Sequence, residues 1–417
     1  MYARRLETGP WFTVGEKLDG LAAHQRVLDV RHARGDARRP YSVYVHVPFC
    51  ASICSFCALY TQGVNANAHE RLGEYLDAVL RSLEYSPWYG SAEPPTTVHF
   101  GGGTPLHIGL TRFERLVRAL RDAFGTSVTC EWAVETTTSS LDAATVDLLE
   151  VLAFRRVHLG IQTLDDAIRR RVGRRESGEA AVERIMDLEA RGFLTSVDLI
   201  LGLDGVDELI VERDLQHLYE AGVRMFSICE LRERSRAAFL AAGDDRVRAE
   251  RHYALWRTIW NFMERAGLIP IHAGQFARGP QDNLYFTHPA RGEDCVAIGP
   301  YAHGSAGHVS YGNLLLPDYY LAIRQGLAPI AMGVDYGAGE RVVCALEREL
   351  LTHRVSDTVL CDVLDTYADS FQHVLDGWLA EDLLREVDGG GELALTAGGS
   401  WFVGNMIADA RGLAEGR

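Results

Sequence analysis

Residues 41–60 read YSVYVHVPFCASICSFCALY, and the fold and the chemistry both start there. The run SVYVHV over 42–47 is rich in β-branched and aromatic residues, the signature of a short buried strand. Pro48 cannot continue a central strand, so the chain turns after Val47. Cys50, Cys54 and Cys57 follow at once with CxxxCxxC spacing, which puts three thiols on one tight loop with no fourth nearby. A structural zinc site closes four protein ligands into a tetrahedron, and this loop offers three. Cysteines that merely pack as small hydrophobes are the plain alternative. Against it stands Phe56, placed between the second and third thiols where an aromatic can cover a bound group. Tyr44 is expected to point from the strand toward the same loop mouth.

Three thiolates on a four-iron, four-sulfur cluster leave one iron free to chelate S-adenosylmethionine (SAM). Electron transfer into the sulfonium then cleaves a carbon–sulfur bond and yields a 5′-deoxyadenosyl radical. Cys130, Cys229, Cys295, Cys344 and Cys361 stand singly in apolar text and read as core residues. Of these, Cys229 ends a strand that faces the same region.

Outward from this stretch, short apolar runs alternate with longer helical patterns. Strands are predicted at 42–47, 97–100, 129–134, 156–160, 195–201 and 224–229. Helices are predicted at about 68–85, 111–124, 141–152, 178–191, 207–221 and 246–266. Six strand–helix units in sequence indicate an α/β protein with a parallel sheet, and six is short of the eight of a closed barrel. The chain divides into a helical extension (1–40), the strand–helix region (41–267), an accessory stretch rich in Gly, Pro, His and Tyr (268–330), and a last segment (331–417). That last segment has helices, a short hairpin and a final helix, in the manner of a winged-helix-like module.

The 417 residues carry a formal charge of −15, and Lys17 is the single lysine. Such a balance excludes a broad electrostatic grip on nucleic acid, which needs clustered basic residues. No apolar run reaches the roughly 20 residues of a bilayer span, and the N-terminus lacks a signal-peptide core. Neither a membrane nor nucleic acid is expected as a partner, and the expected address is cytoplasmic.

Gly101-Gly102-Gly103-Thr104-Pro105 follows the second strand and precedes a helix. Consecutive glycine amides there are expected to form a concavity for a charged ligand group. Polar residues then stand where strands end: Glu135, Gln162, Asp198 and Glu230, with Arg174 a helical stretch beyond Gln162. Barrel enzymes gather function at that rim.

With these landmarks the chain resembles the radical SAM superfamily, on the branch related to oxygen-independent coproporphyrinogen III oxidase (HemN-like). YVHVPFC, GGGTP, HLGIQT, VDLILGL, GQFAR, AIGPYAHG and LTAGGSWFVGNMI carry the resemblance from about Ser42 to Gln325 and more weakly to the C-terminus. It implies a partial (β/α)6 radical SAM barrel, an accessory region that completes the active site and a C-terminal winged-helix-like module. It further implies that Cys50, Cys54 and Cys57 ligate a 4Fe-4S cluster and that two SAM molecules bind. Tyr44, Gly102 and Glu135 match positions touching the cluster-bound SAM. Phe56, Gly103, Thr104, Gln162, Arg174 and Asp198 match positions touching the second, with Arg232 and His303 as chemically poorer matches.

Departures from the oxidases direct the choice of reaction. No cysteine follows the triad, where Ala58-Leu59-Tyr60 stands instead. Asp198 is followed by GLDGVDE rather than GLP with a Gln-Thr pair, and 282–286 reads DNLYF where haem chaperones carry an HNxxYW-like motif. What remains is most like the class C radical SAM methyltransferases of natural-product biosynthesis, including thiopeptide maturation. In that class the deoxyadenosyl radical takes hydrogen from the methyl of the second SAM. The methylene radical then adds to an sp² carbon of an aromatic heterocycle, and strict proximity is the physical requirement. The substrate expected is a small molecule or a modified peptide, such as a thiazole-bearing precursor, with a flavodoxin or ferredoxin as electron donor. Glu230, Tyr285 and His303 are the candidate catalytic bases for the closing proton loss. The alternatives are a coproporphyrinogen oxidase, a cyclopropanase, a haem-degrading methyltransferase and a haem chaperone like HemW.

Overall fold

The computed structural model describes residues 2, 5–6, 14–33, 39–65, 68–125, 127–231, 245–387 and 391–416. Six parallel strands lie side by side in chain order. They are β1 (Tyr41–Val47), β2 (Thr97–Gly102), β3 (Glu131–Thr136), β4 (Arg156–Gln162), β5 (Leu194–Leu201) and β6 (Met225–Glu230). The helices that return the chain are α1 (His69–Ser82), α2 (Leu110–Phe124), α3 (Ala143–Val151), α4 (Gly178–Ala190), α5 (Glu208–Glu220) and α6 (Asp245–Arg265). Three of them start on a side chain that accepts from an otherwise unpaired amide: Asp142 from Thr145, Ser177 from Ala180 and Asp207 from Ile210. Such caps stop the preceding loop and fix where each helix begins.

Side-chain alternation sorts the strands into two faces. Val43, Val45, Val47, Val98, Phe100, Trp132, Val134, Val157 and Leu159 belong to the apolar core packed under the helices. The alternate positions carry Tyr44, His46, His99, Glu135, His158, Asp198 and Ser227, so the concave face is polar in a way the helix face is not.

The sheet does not stop at six strands. Asp294–Ile298 adds in parallel beside β1, and an antiparallel series of His303–Ala306, Val309–Asn313 and Ile330–Asp335 continues from it. On the other flank, Gln275–Ala277 pairs antiparallel with β6 and Ile269–His272 pairs with it in turn. The accessory stretch, expected beside the barrel, therefore extends its sheet on both sides. A parallel neighbour of β1 must be buried and apolar, and DCVAI meets that in five residues, too few to read as another unit.

The N-terminal extension is not purely helical either. Glu16–Asp19 is a strand that caps the sheet edge against Ile330–Asp335, followed by a helix over Gly20–Ala33. At the C-terminal end, a three-stranded sheet takes Arg354–Val355 from between helices Ala338–Leu351 and Asp357–Ala380, and Leu384–Glu386 and Leu393–Leu395 from after them, and helices Ala397–Trp401 and Val403–Ala414 end the chain's described part. Of the single cysteines, Cys130 and Cys295 are buried as expected, Cys344 is half-buried, and Cys229 and Cys361 are exposed. Among the described residues no helix is long and apolar enough to cross a membrane.

Candidate active site

The cysteine loop is stapled at both ends. Phe49–Cys50 pairs with Gln62–Gly63, and the Gln62 and Val64 amides donate to the Pro48 and Cys50 carbonyls at 2.6 and 2.9 Å. Inside the loop the Cys57 amide donates to the Cys54 carbonyl at 3.1 Å. His107 holds the outer side, accepting from the Ala51 amide at 3.0 Å and lying 3.2 Å from Ser140 Oγ. All three thiols are free and partly open, and all three line one cavity of about 640 Å³. Burial pushes the Cys50 thiol up to about 11 and raises Cys54 as well. Both are therefore thiols at neutral pH until a metal displaces their protons.

The glycine run works differently from the expectation. Its amides are spent inside the protein: Gly103 donates to Val47 O and Thr104 to Phe49 O, both at 2.8 Å, and Gly102 donates to Glu135 Oε2 at 3.3 Å. No anion concavity is left. The missing side chains matter because a Cβ on Gly103 would sit 2.5 Å from Phe49 O, and one on Gly101 would sit 2.8 Å from the Glu135 carboxylate. The run lets β2 lie directly against the root of the cysteine loop.

Two carboxylates face the cavity, each backed by an imidazole. Glu135 Oε1 is 2.8 Å from His99 Nε2, and Asp198 Oδ1 is 2.9 Å from His158 Nε2, whose other nitrogen is 2.8 Å from Ser196 Oγ. Burial favours the neutral form of both acids, but the hydrogen bond and charge of His99 hold Glu135 below the usual carboxylate range, and His158 does the same for Asp198. Burial likewise opposes a charged His158, yet Asp198 and then Glu135 raise it above the ordinary histidine value. The imidazole partners escaped the reading of the sequence. Their signal was there: histidines at 99 and 158 interrupt apolar strands in phase with the two acids.

Beside Asp198, β4 ends irregularly. Its register with β5 shifts between Gly160 and Gln162, and Gln162 adopts φ +70°, a left-handed conformation that strains a residue with a side chain. A Cβ on Gly160 would meet Gln162 Nε2 at 2.8 Å and Arg174 Nη2 at 3.0 Å, so this glycine makes room for both. The Arg174 guanidinium lies over the Phe56 ring, 5.8 Å from its centroid, and its buried Nε has no hydrogen-bond partner among the described residues.

The structure thus brings Cys50, Cys54, Cys57, Phe56, Gly102, Gly103, Thr104, Glu135, Gln162, Arg174 and Asp198 to one cavity. Four other candidates stand outside its lining. Tyr44 turns inward instead, its hydroxyl 3.0 Å from His46 Nδ1 and its ring stacked on Tyr285 at 5.2 Å. Tyr285 is sandwiched against His99 at 4.2 Å, and burial raises its pKa well above the ordinary phenol value, the opposite of what a base needs. Glu230 is ion-paired with Arg5 and lies 3.0 Å from His252 Nδ1; with Cys229 it lines a separate cavity of about 190 Å³. His303 packs edge-on against Tyr301. Arg232 lies outside the described residues.

The donor set suits the cluster expected from the sequence. Among the described residues no three His, Cys, Asp or Glu side chains close on a single metal ion. The cavity does offer three free thiols, glycine backbone and, over the Phe56 ring, an Arg174 guanidinium whose buried Nε has no partner among the described residues.

Residues 44–218 match the family profile described as the Radical SAM superfamily. The chain is 28% identical to the Anaerobilin synthase of Escherichia coli O157:H7 over 382 residues, covering 88% of this chain and 82% of that one. It is 28% identical to the oxygen-independent coproporphyrinogen III oxidase of Pseudomonas aeruginosa over 360 residues, 78% of this chain and 75% of the relative. It is also similar to the heme chaperone HemW of Lactococcus lactis, with 25% identity over 289 residues, 68% of this chain and 74% of that one. The solved coproporphyrinogen III oxidase (HemN) of Escherichia coli has the same fold, with a TM-score of 0.78 across 93% of both chains at 21% identity. Residues 44–218 thus carry a radical SAM domain, and over most of its length the chain is similar to proteins of the HemN-like branch.

Proposed function

We propose that the chain is a class C radical SAM C-methyltransferase that binds two SAM molecules and methylates an sp² carbon of an aromatic heterocycle, with a thiazole of a modified peptide as the substrate class. The observation that carries this is the pair of carboxylate–imidazole couples in one cavity. One adjoins Gly102 and the cysteine loop; the other adjoins Gln162 and Arg174. Each presents an ionised carboxylate oxygen suited to the ammonium of one SAM.

In this reading Cys50, Cys54 and Cys57 hold the 4Fe-4S cluster. Bound there, the cluster would supply the electron for reductive cleavage of a SAM molecule. Glu135, fixed by His99 and the Gly102 amide, orients the first molecule. Asp198 and Arg174 engage the amino and carboxylate ends of the second, and Phe56 offers an aromatic face between them. Glu135 and Arg174 act by positioning rather than by acid–base chemistry, because a donor methyl must lie against the carbon that attacks it. A flavodoxin or ferredoxin is the proposed electron donor.

A second reading, action on a tetrapyrrole, draws on the likeness to a coproporphyrinogen III oxidase over most of the chain. A porphyrinogen would bring propionates that favour arginine partners. Arg278 and Arg291, of the accessory stretch, are exposed and do not line the cavity. Arg174 and Arg175 are the arginines among the described residues that do.

Anaerobic turnover with SAM deuterated at its methyl separates the readings. A methyltransferase gives deuterium in 5′-deoxyadenosine together with S-adenosylhomocysteine in the presence of an azole peptide. Deuterium-free deoxyadenosine that depends on coproporphyrinogen would overturn the methyltransferase reading.

A further inference from the structure

A second charged cavity, of about 270 Å³, lies at the other end of the sheet. Gly292 and Glu293, just before the strand Asp294–Ile298, form part of it, as does the turn at Gly307–His308. That strand runs parallel to β1, so the cavity sits at the amino-terminal end of the sheet, roughly 20 Å from the cysteine loop by strand length. Arg39, Arg341 and Arg348 converge on it, together with His308 and Ser305.

Charge accounting makes this cluster unusual in a chain of net charge −15. Three carboxylates close to the cavity are engaged elsewhere. Asp335 pairs with Arg26 at 2.9 Å and lies 3.4 Å from His308, Glu347 holds Arg411 at 2.8 Å, and Asp294 accepts from the Gly307 amide at 2.8 Å. Glu293, the acid that lines the cavity, lies 2.8 Å from the His288 ring, and burial raises its pKa toward the neutral form. Among the described residues none of the three guanidiniums has an acidic partner. Arg348 is braced flat against Gly292, where a Cβ would come within 3.4 Å of its Cζ. Three like charges held around one cavity repel each other unless an anion joins them.

We propose that this cavity binds a compact polyanion of two or more negative charges, phosphate-bearing or polycarboxylate, recognised by the Arg348 and Arg341 forks with Arg39 at the mouth. Guanidinium matches both oxyanion types through paired N–H donors. The site is independent of the methyltransferase reading and leaves the cysteine cavity untouched.

Titration calorimetry of the full chain with inorganic pyrophosphate and, separately, citrate tests it, alongside melting curves with each. Saturable binding of either is expected, with a rise in melting temperature. Pyrophosphate alone would identify a phosphate-bearing ligand and citrate alone a polycarboxylate, and both outcomes support the site. Arg348→Gln should weaken binding about tenfold, the loss of a charged hydrogen-bond pair. Arg348→Lys, which keeps the charge, should retain part of it, and Glu293→Gln should tighten it. Absence of saturable binding to both anions, or equal affinity in wild type and a folded Arg348→Gln, overturns the proposal.

Discussion

The two walls of the cysteine cavity are built on opposite plans. On the first wall the donors are spoken for: the amides of Gly102, Gly103 and Thr104 bind neighbours, and the loop is pinned by Gln62, Val64 and His107. On the second wall Gln162 is strained, the Arg174 Nε is unpartnered among the described residues, and the side-chain ends of Arg174 and Gln162 meet over Gly160. A wall whose backbone donors are satisfied suits a cluster that stays in place through each turnover. A wall with an orphaned cationic donor suits a molecule that arrives and leaves, since its arrival supplies the missing partner.

The largest effect expected is on the first wall. Replacing Cys50, Cys54 and Cys57 together by Ala should abolish the iron–sulfur absorbance of reconstituted protein. A full cluster in that variant would remove the assignment of the loop.

A matched pair of glycine substitutions sharpens the contrast. Gly103→Ala drives a Cβ into the Phe49 backbone, which cannot yield without moving Cys50, so a cost of about 1–3 kcal/mol and poor cluster retention are expected. Gly160→Ala meets the flexible tips of Gln162 and Arg174, so cluster content should persist while SAM affinity falls. Melting temperature and iron content, measured on both, read the difference; equal cluster loss in the two would erase the distinction between the walls.

The smallest effect concerns pH. A raised His158 value means its stabilisation is complete below the unfolded imidazole pKa of about 6.5 and is lost as pH rises through the higher folded value. Asp198, depressed when folded, contributes fully above about pH 4 and loses that as pH falls through its lowered value. The plot of melting temperature against pH should therefore fall above about pH 6.5 more steeply in the wild type than in His158→Gln. Parallel curves would show that the couple is not charged.

Much of this architecture was legible because each parallel unit repeats a strong local signal. β1, β4 and β5 are short apolar runs, and helices α1 to α6 fall within a few residues of the predicted spans. The flanking strands were not legible, because DCVAI and the short hairpins have no periodicity of their own and are defined by pairing with β1 and with each other. The cysteine loop and the residues at the rim were visible in residue type and spacing. The histidines behind the two acids were not singled out, since a lone histidine in a strand is a weak sign until the register sets His158 beside Glu135 and Gly160 beside Asp198. Glu230 misled for the converse reason: it ends β6 as the other acids end theirs, but the distant residues Arg5 and His252 claim it.

In the proposed reaction one cavity holds two SAM molecules, one on each wall. Equilibrium dialysis of reconstituted protein with labelled SAM counts them directly. Two per chain are predicted for the wild type, and one for Asp198→Asn with its cluster spectrum unchanged. One per chain in the wild type, or two retained in Asp198→Asn, would contradict it.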